Sequence, residues 1–62
     1  MMELDSVVLT QDFATIPKGT EGVVVYVYDA LEGEVEFFDE DGDTIDVVMV
    51  PFELLEPLAE WI

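Results

Sequence analysis

The feature that most constrains the fold is the stretch from Gly22 to Val50. It reads Gly22-Val-Val-Val-Tyr-Val-Tyr28, Asp29-Ala-Leu-Glu-Gly33, Glu34-Val-Glu-Phe-Phe-Asp39, Glu40-Asp-Gly42 and Asp43-Thr-Ile-Asp-Val-Val-Met-Val50. Three runs rich in β-branched and aromatic residues are joined by two segments that end in glycine, the pattern of an antiparallel meander.

Alternation sets an expected register. Val35 and Phe37 face the core, and Glu34 and Glu36 face water. A two-residue turn at Asp41-Gly42 would set Phe37 opposite Asp46, on the wrong face. A three-residue loop, Glu40-Asp41-Gly42, instead pairs Phe37 with Ile45, Val35 with Val47 and Glu36 with Asp46. Such a loop ends on a residue in the left-handed region, which Gly42 supplies. A five-residue loop from Asp29 to Gly33 pairs Val27 with Val35 and Val25 with Phe37. A slip of one residue in either hairpin would turn every side chain to the other face.

The expected outer face follows. It carries Val24, Tyr26 and Tyr28 beside Glu34, Glu36 and Phe38, beside Thr44, Asp46 and Val48. Glu36 directly opposite Asp46 places like charges together, which is unfavourable.

The rest of the chain completes a small β-domain. Residues 4–10 read as a first strand with Val7 and Leu9 inward. Residues 11–20 form a loop under which Phe13 and Ile16 tuck, closed by the turn Pro17-Lys18-Gly19. Gly22 allows a close backbone approach. Pro51 ends the fourth strand and starts a one-turn 3₁₀ helix over Phe52–Leu54. Leu55–Leu58 supplies a short fifth strand, confined to an edge by Pro57. Trp61 and Ile62 either dock on the body or meet another chain. Five short strands, a long first loop and a 3₁₀ turn before the last strand give the expected class: all-β, a single five-stranded SH3-like barrel over residues 1–62.

Composition narrows function more than it defines it. The 62 residues carry 16 acids against one base, Lys18, and neither histidine nor cysteine. A chain this short buries only about 60% of its unfolded surface, too little to enclose a substrate cavity. No disulfide or thiolate metal site can brace it, and the commonest general base is missing. No apolar run reaches the roughly 18 residues of a membrane span, and the Met1–Asp5 start lacks the pattern of a signal peptide. A cytoplasmic location is the expectation.

Several segments match a known pattern. Leu4–Thr10, Gly19-Thr-Glu-Gly-Val-Val-Val25, Val27-Tyr28, Glu34–Phe37, Asp41-Gly42 and Val48–Pro51 resemble a family of short bacterial and archaeal proteins described as domain of unknown function 4926. The resemblance spans roughly residues 4–57. The chain departs from it in lacking the usual basic residues in the loop and near the C-terminus. The family brings no catalytic residues to carry over. It resembles one encoded near toxin-like genes, which implies an antitoxin or immunity role.

Weighing chemistries leaves binding in front. Paired carboxylates can hydrolyse glycosides, but they need divergent environments and a cleft, so no catalytic residue and no cofactor are expected. Asp39-Glu-Asp-Gly-Asp43 has its glycine fourth, not sixth as a calcium loop requires, so it reads as a charged hairpin tip with no metal. Phosphate contacts need cations, so neither nucleic acid nor an anionic membrane is an expected partner. A basic protein is. The candidate contact residues are Tyr26, Tyr28, Glu34, Glu36, Phe38, Asp46 and Trp61, because aromatics are enriched in interface cores and acidic fields steer basic partners. Two other readings stand beside this one. The chain could imitate nucleic acid and inhibit a DNA- or RNA-binding protein, or it could be a structural homodimer completed by Trp61 and Ile62. Acids that serve only solubility are the plain alternative to all three.

Overall fold

The computed structural model describes residues 1–61. Its strands are β1 (Ser6–Leu9), β2 (Glu21–Val27), β3 (Glu32–Phe38), β4 (Thr44–Pro51) and β5 (Leu55–Pro57). Two 3₁₀ turns, η1 (Phe52–Leu54) and η2 (Leu58–Glu60), flank β5. All pairings are antiparallel, in the order β4-β3-β2-β1-β5. The all-β class, the five strands and the 3₁₀ turn before the last strand are as expected. Closure is not: among the described residues the sheet does not join into a barrel, and β4 and β5 remain its edges. Among the described residues no helix is long and apolar enough to cross a membrane.

One side of the sheet holds the core. Val7, Leu9, Val24, Val35, Phe37, Val50 and Leu55 are buried there together with Ile16, and Phe13, Val27, Val48, Phe52 and Leu54 pack around them. With so few strands, the second layer is improvised from the first loop and η1. Phe13 and Ile16 exchange backbone hydrogen bonds of 2.9 Å, pinching the loop into a tight turn that drives Ile16 inward. Thr10 anchors the other cover, donating its N–H (2.7 Å) and its hydroxyl (2.8 Å) to the Leu54 carbonyl. Gly22 lies opposite Phe37, where an added Cβ would stand 2.8 Å from the Glu36 carbonyl oxygen.

The hairpin tip at residues 39–43 follows the expected chemistry. Asp39 N–H donates to the Asp43 carbonyl at 2.9 Å, enclosing the three-residue loop Glu40-Asp41-Gly42, and Gly42 takes φ +85°. Asp39 Oδ1 accepts the N–H groups of Asp41 and Asp43, at 2.9 and 3.0 Å. The expected register holds where Phe38 meets Thr44, then breaks. An irregularity follows at once, so that Phe37 faces Asp46, Glu36 faces Val47 and Val35 faces Val48. Ile45 is the extra residue of this bulge. The expected pairs Phe37–Ile45, Val35–Val47 and Glu36–Asp46 do not form. Val48 and Val50 turn inward, while Ile45 and Val47 are each 44% exposed. The bulge also separates Glu36 from Asp46, removing the like-charge pair.

The β2–β3 hairpin is corrected in the same way. β3 begins at Glu32, so the five-residue loop Asp29–Gly33 is not formed, and Val27 pairs with Gly33. A second irregularity leaves Val25 unpaired between Val24 and Tyr26. Val24, expected on the outer face, therefore meets Val35 and is fully buried, and Val25 points out. β1 is also shorter than residues 4–10, because Leu4 takes φ +71° and lies 80% exposed. Pro51 is the last residue of β4 and the N-cap of η1 rather than its first residue.

Candidate functional site

The outer face is built in rows across β2, β3 and β4. Tyr26, Glu34 and Met49 form one row, Val23, Glu36 and Val47 the next, and Glu21, Phe38 and Thr44 the last. Tyr28 reaches back from the end of β2 to the first row. Its phenol donates to Glu34 Oε2 at 2.8 Å, and its ring stands edge-on to Tyr26, with centroids 4.8 Å apart at 74°. The hydrogen bond to Glu34 raises the Tyr28 pKa above 10.0, with desolvation and then the Glu34 charge adding to it. Thr44 Oγ1 donates to Glu36 Oε2 at 2.5 Å, fixing that carboxylate between Val23 and Val47. Glu34 and Glu36 are thus half-buried and held in place, among tyrosine, valine and methionine side chains.

The structure brings together five of the seven expected contact residues: Tyr26, Tyr28, Glu34, Glu36 and the half-buried Phe38 share this face. Asp46 is not among them. It lies opposite Phe37, so its side chain leaves the sheet on the core side, at the exposed end of the strand. Trp61 is remote too. η2 folds back on β1, and Trp61 Nε1 donates to Glu56 Oε2 at 2.5 Å. Glu56 is the cross-strand partner of Val8, which is 1% exposed although it lies outside the main core. The C-terminal turn therefore lies along the outer side of β1 and β5, with the indole still 41% exposed. The expectation for Ile62 falls outside the described residues. The outer face is covered at its β5 end and bare at its β4 end.

Three residues of the bare region escaped sequence reasoning: Val23, Val47 and Met49. Val47 and Met49 are 44% and 48% exposed. In Val-Val-Val-Tyr-Val and Ile-Asp-Val-Val-Met-Val both alternating sets are apolar, so no pattern says which set faces out.

Other clusters offer less chemistry. Carboxylate oxygens of Asp39, Asp41 and Asp43 lie within 4.8 Å of one another, all exposed. Asp39 already accepts two backbone N–H groups there, so the geometry gives it the work of shaping the turn. A shallow groove between the Pro17–Glu21 segment and the hairpin tip has Phe38 and Ile45 in its lining and sets Lys18 near Asp39 and Glu40. Those charged groups are exposed to solvent.

No curated protein and no solved structure matches the chain. One family model does, over residues 3–57, nearly the whole sequence. The chain belongs to the family that this model describes, Domain of unknown function (DUF4926).

Proposed function

We propose that the chain is a non-enzymatic binding module that masks a basic surface of a partner protein, in the manner of an antitoxin or immunity protein. The observation that carries this reading is the bare half of the outer face. Tyr26, Tyr28, Val47 and Met49 are each 44–49% exposed around the fixed carboxylates of Glu34 and Glu36. Edge-stacked tyrosines supply contact area at low entropic cost, as interface cores do. Sixteen acids against one base give the chain as a whole a field of one sign. Such a field raises association rates by roughly ten- to a thousandfold and weakens steeply with salt.

The test reverses the two central charges. Glu34→Lys with Glu36→Lys should slow association with a captured basic partner at least tenfold at low ionic strength and flatten its dependence on NaCl. Quantitative capture from lysate of the source cells, followed by stopped-flow kinetics on the recovered partner, provides the readout. Recovery of no basic partner, or equal rates for the double variant, refutes the reading.

A further inference from the structure

The two edges of the sheet are treated differently. β5 has three residues, ends in Pro57, and is followed at once by η2, which folds back on β1. That is how natural sheets shield an edge from other chains. β4 is the longest strand, at eight residues, and among the described residues no strand lies on its side away from β3.

Its rim can be read residue by residue. In an antiparallel pair, alternate residues exchange hydrogen bonds with the neighbour, and those between point their backbone groups away. Val47 N–H is taken by the Asp46 carboxylate at 2.8 Å, which marks Val47 as an outward residue. Met49 and Pro51 share its phase. Pro51 has no N–H to leave unpaired, and proline in a sheet keeps to such positions. The next residue, Phe52, turns its N–H the opposite way, to the Leu31 carbonyl at 2.8 Å beside β3. The rim of β4 thus offers the donors and acceptors of Val47 and Met49, with Asp46 stoppering one donor.

We propose that this rim is where the partner is held: an extended segment with lysine or arginine at alternate positions pairs with Ile45–Val50 as a sixth strand. The inference rests on the binding reading above and specifies its partner. Adjacent strands lie about 4.8 Å apart, which puts the added strand about 10 Å from β3. A lysine or arginine on its outer face closes that distance together with the facing glutamate side chain, laying its methylene stem on Val47 or Met49 and its charge on Glu36 or Glu34. The incoming carbonyl displaces Asp46 from Val47 N–H, and the freed carboxylate, at the exposed end of the strand, turns to water. A second copy of this chain is the poorer occupant, since it brings another −15 to the rim.

The experiment uses two octapeptides of equal charge at 0.15 M NaCl. One alternates lysine and valine, and the other has prolines at its two central valine positions. Pairing predicts at least tenfold tighter binding of the alternating peptide by fluorescence anisotropy. It also predicts slowed hydrogen exchange at the Val47 and Met49 amides of the unmodified protein. A chemically synthesised chain with N-methyl at Val47 should lose that preference while its circular dichroism stays the same. Equal binding of both peptides without amide protection, weakened by Glu34→Lys with Glu36→Lys, overturns strand addition and leaves the binding surface standing. Insensitivity to those reversals as well brings down both. A dimer of the free chain by sedimentation equilibrium, with the Val47 and Met49 amides protected in it by hydrogen exchange, makes the occupant a second copy and overturns the proposal.

Discussion

Replacing Gly22 with alanine tests how tightly the sheet closes over its core. An added Cβ would stand 2.8 Å from the Glu36 carbonyl oxygen, 2.8 Å from Val35 Cγ1 and 2.9 Å from Phe37 Cδ1. All three are well inside ordinary van der Waals contact, and none can yield freely. The carbonyl belongs to the β3 backbone, and Val35 and Phe37 are both fully buried. Overpacking of this kind costs about 1–3 kcal/mol. Spreading β2 from β3 weakens a ladder hydrogen bond by about 1 kcal/mol more. Alanine returns about 0.4–1 kcal/mol by restricting the unfolded chain. The net expectation is a loss of about 1–4 kcal/mol, against a total stability of about 3–9 kcal/mol for a domain of this size. Urea denaturation followed by far-ultraviolet circular dichroism should show the midpoint fall with its slope unchanged. Val35→Ala removes one of the obstructing atoms, so the double variant should be less destabilised than additivity predicts, by about 1 kcal/mol. Gly42→Ala is the contrast. No atom lies within 4 Å there, and φ is +85°, so its cost of about 1–2 kcal/mol is purely conformational and adds to that of Val35→Ala. A Gly22→Ala chain within 0.5 kcal/mol of the parent would refute the reasoning.

Other expectations follow from charge and strain. Sixteen acids against one base should make thermal stability rise steadily between 0.01 and about 1 M NaCl, as the Debye length falls from about 30 to about 3 Å; a flat profile would mean that repulsion among the carboxylates is negligible. The Tyr28 phenol is held above 10.0 by its hydrogen bond to Glu34. Its contribution to stability is therefore complete below the unfolded value and is lost as pH rises through the higher folded one. Absorbance titration at alkaline pH should show the Tyr28 midpoint fall toward 10 in Glu34→Gln, and an unmoved midpoint would remove Glu34 as the cause. Ala14 sits at φ +53°, where a non-glycine residue pays about 1–2 kcal/mol. Ala14→Gly should thus stabilise the loop by up to about 1 kcal/mol once glycine's greater unfolded freedom is set against that gain. A drop in melting temperature would contradict it.

What the sequence determined by itself was local. Composition and the glycine-punctuated β-runs dictated an all-β domain. The Glu34–Phe37 alternation put Val35 and Phe37 in the core, because polar and apolar residues there separate cleanly by face. Turn chemistry required three residues at the β3–β4 tip with Gly42 left-handed, and the prolines marked η1 and the edge strand. The tertiary structure alone decided which way β2 and β4 face. Their apolar residues occupy both alternating sets, so burial gains are similar in either phase, and one-residue bulges at Val25 and Ile45 settle the choice by matching Val24 to Val35 and Val48 to Val35 from either side. Those two bulges move Val24 and Val48 off the outer face and Asp46 away from Glu36, and they leave Val47 and Met49 beside the tyrosines. The composition of the candidate site is therefore a product of register, which depends on packing between strands and cannot be read within any one of them.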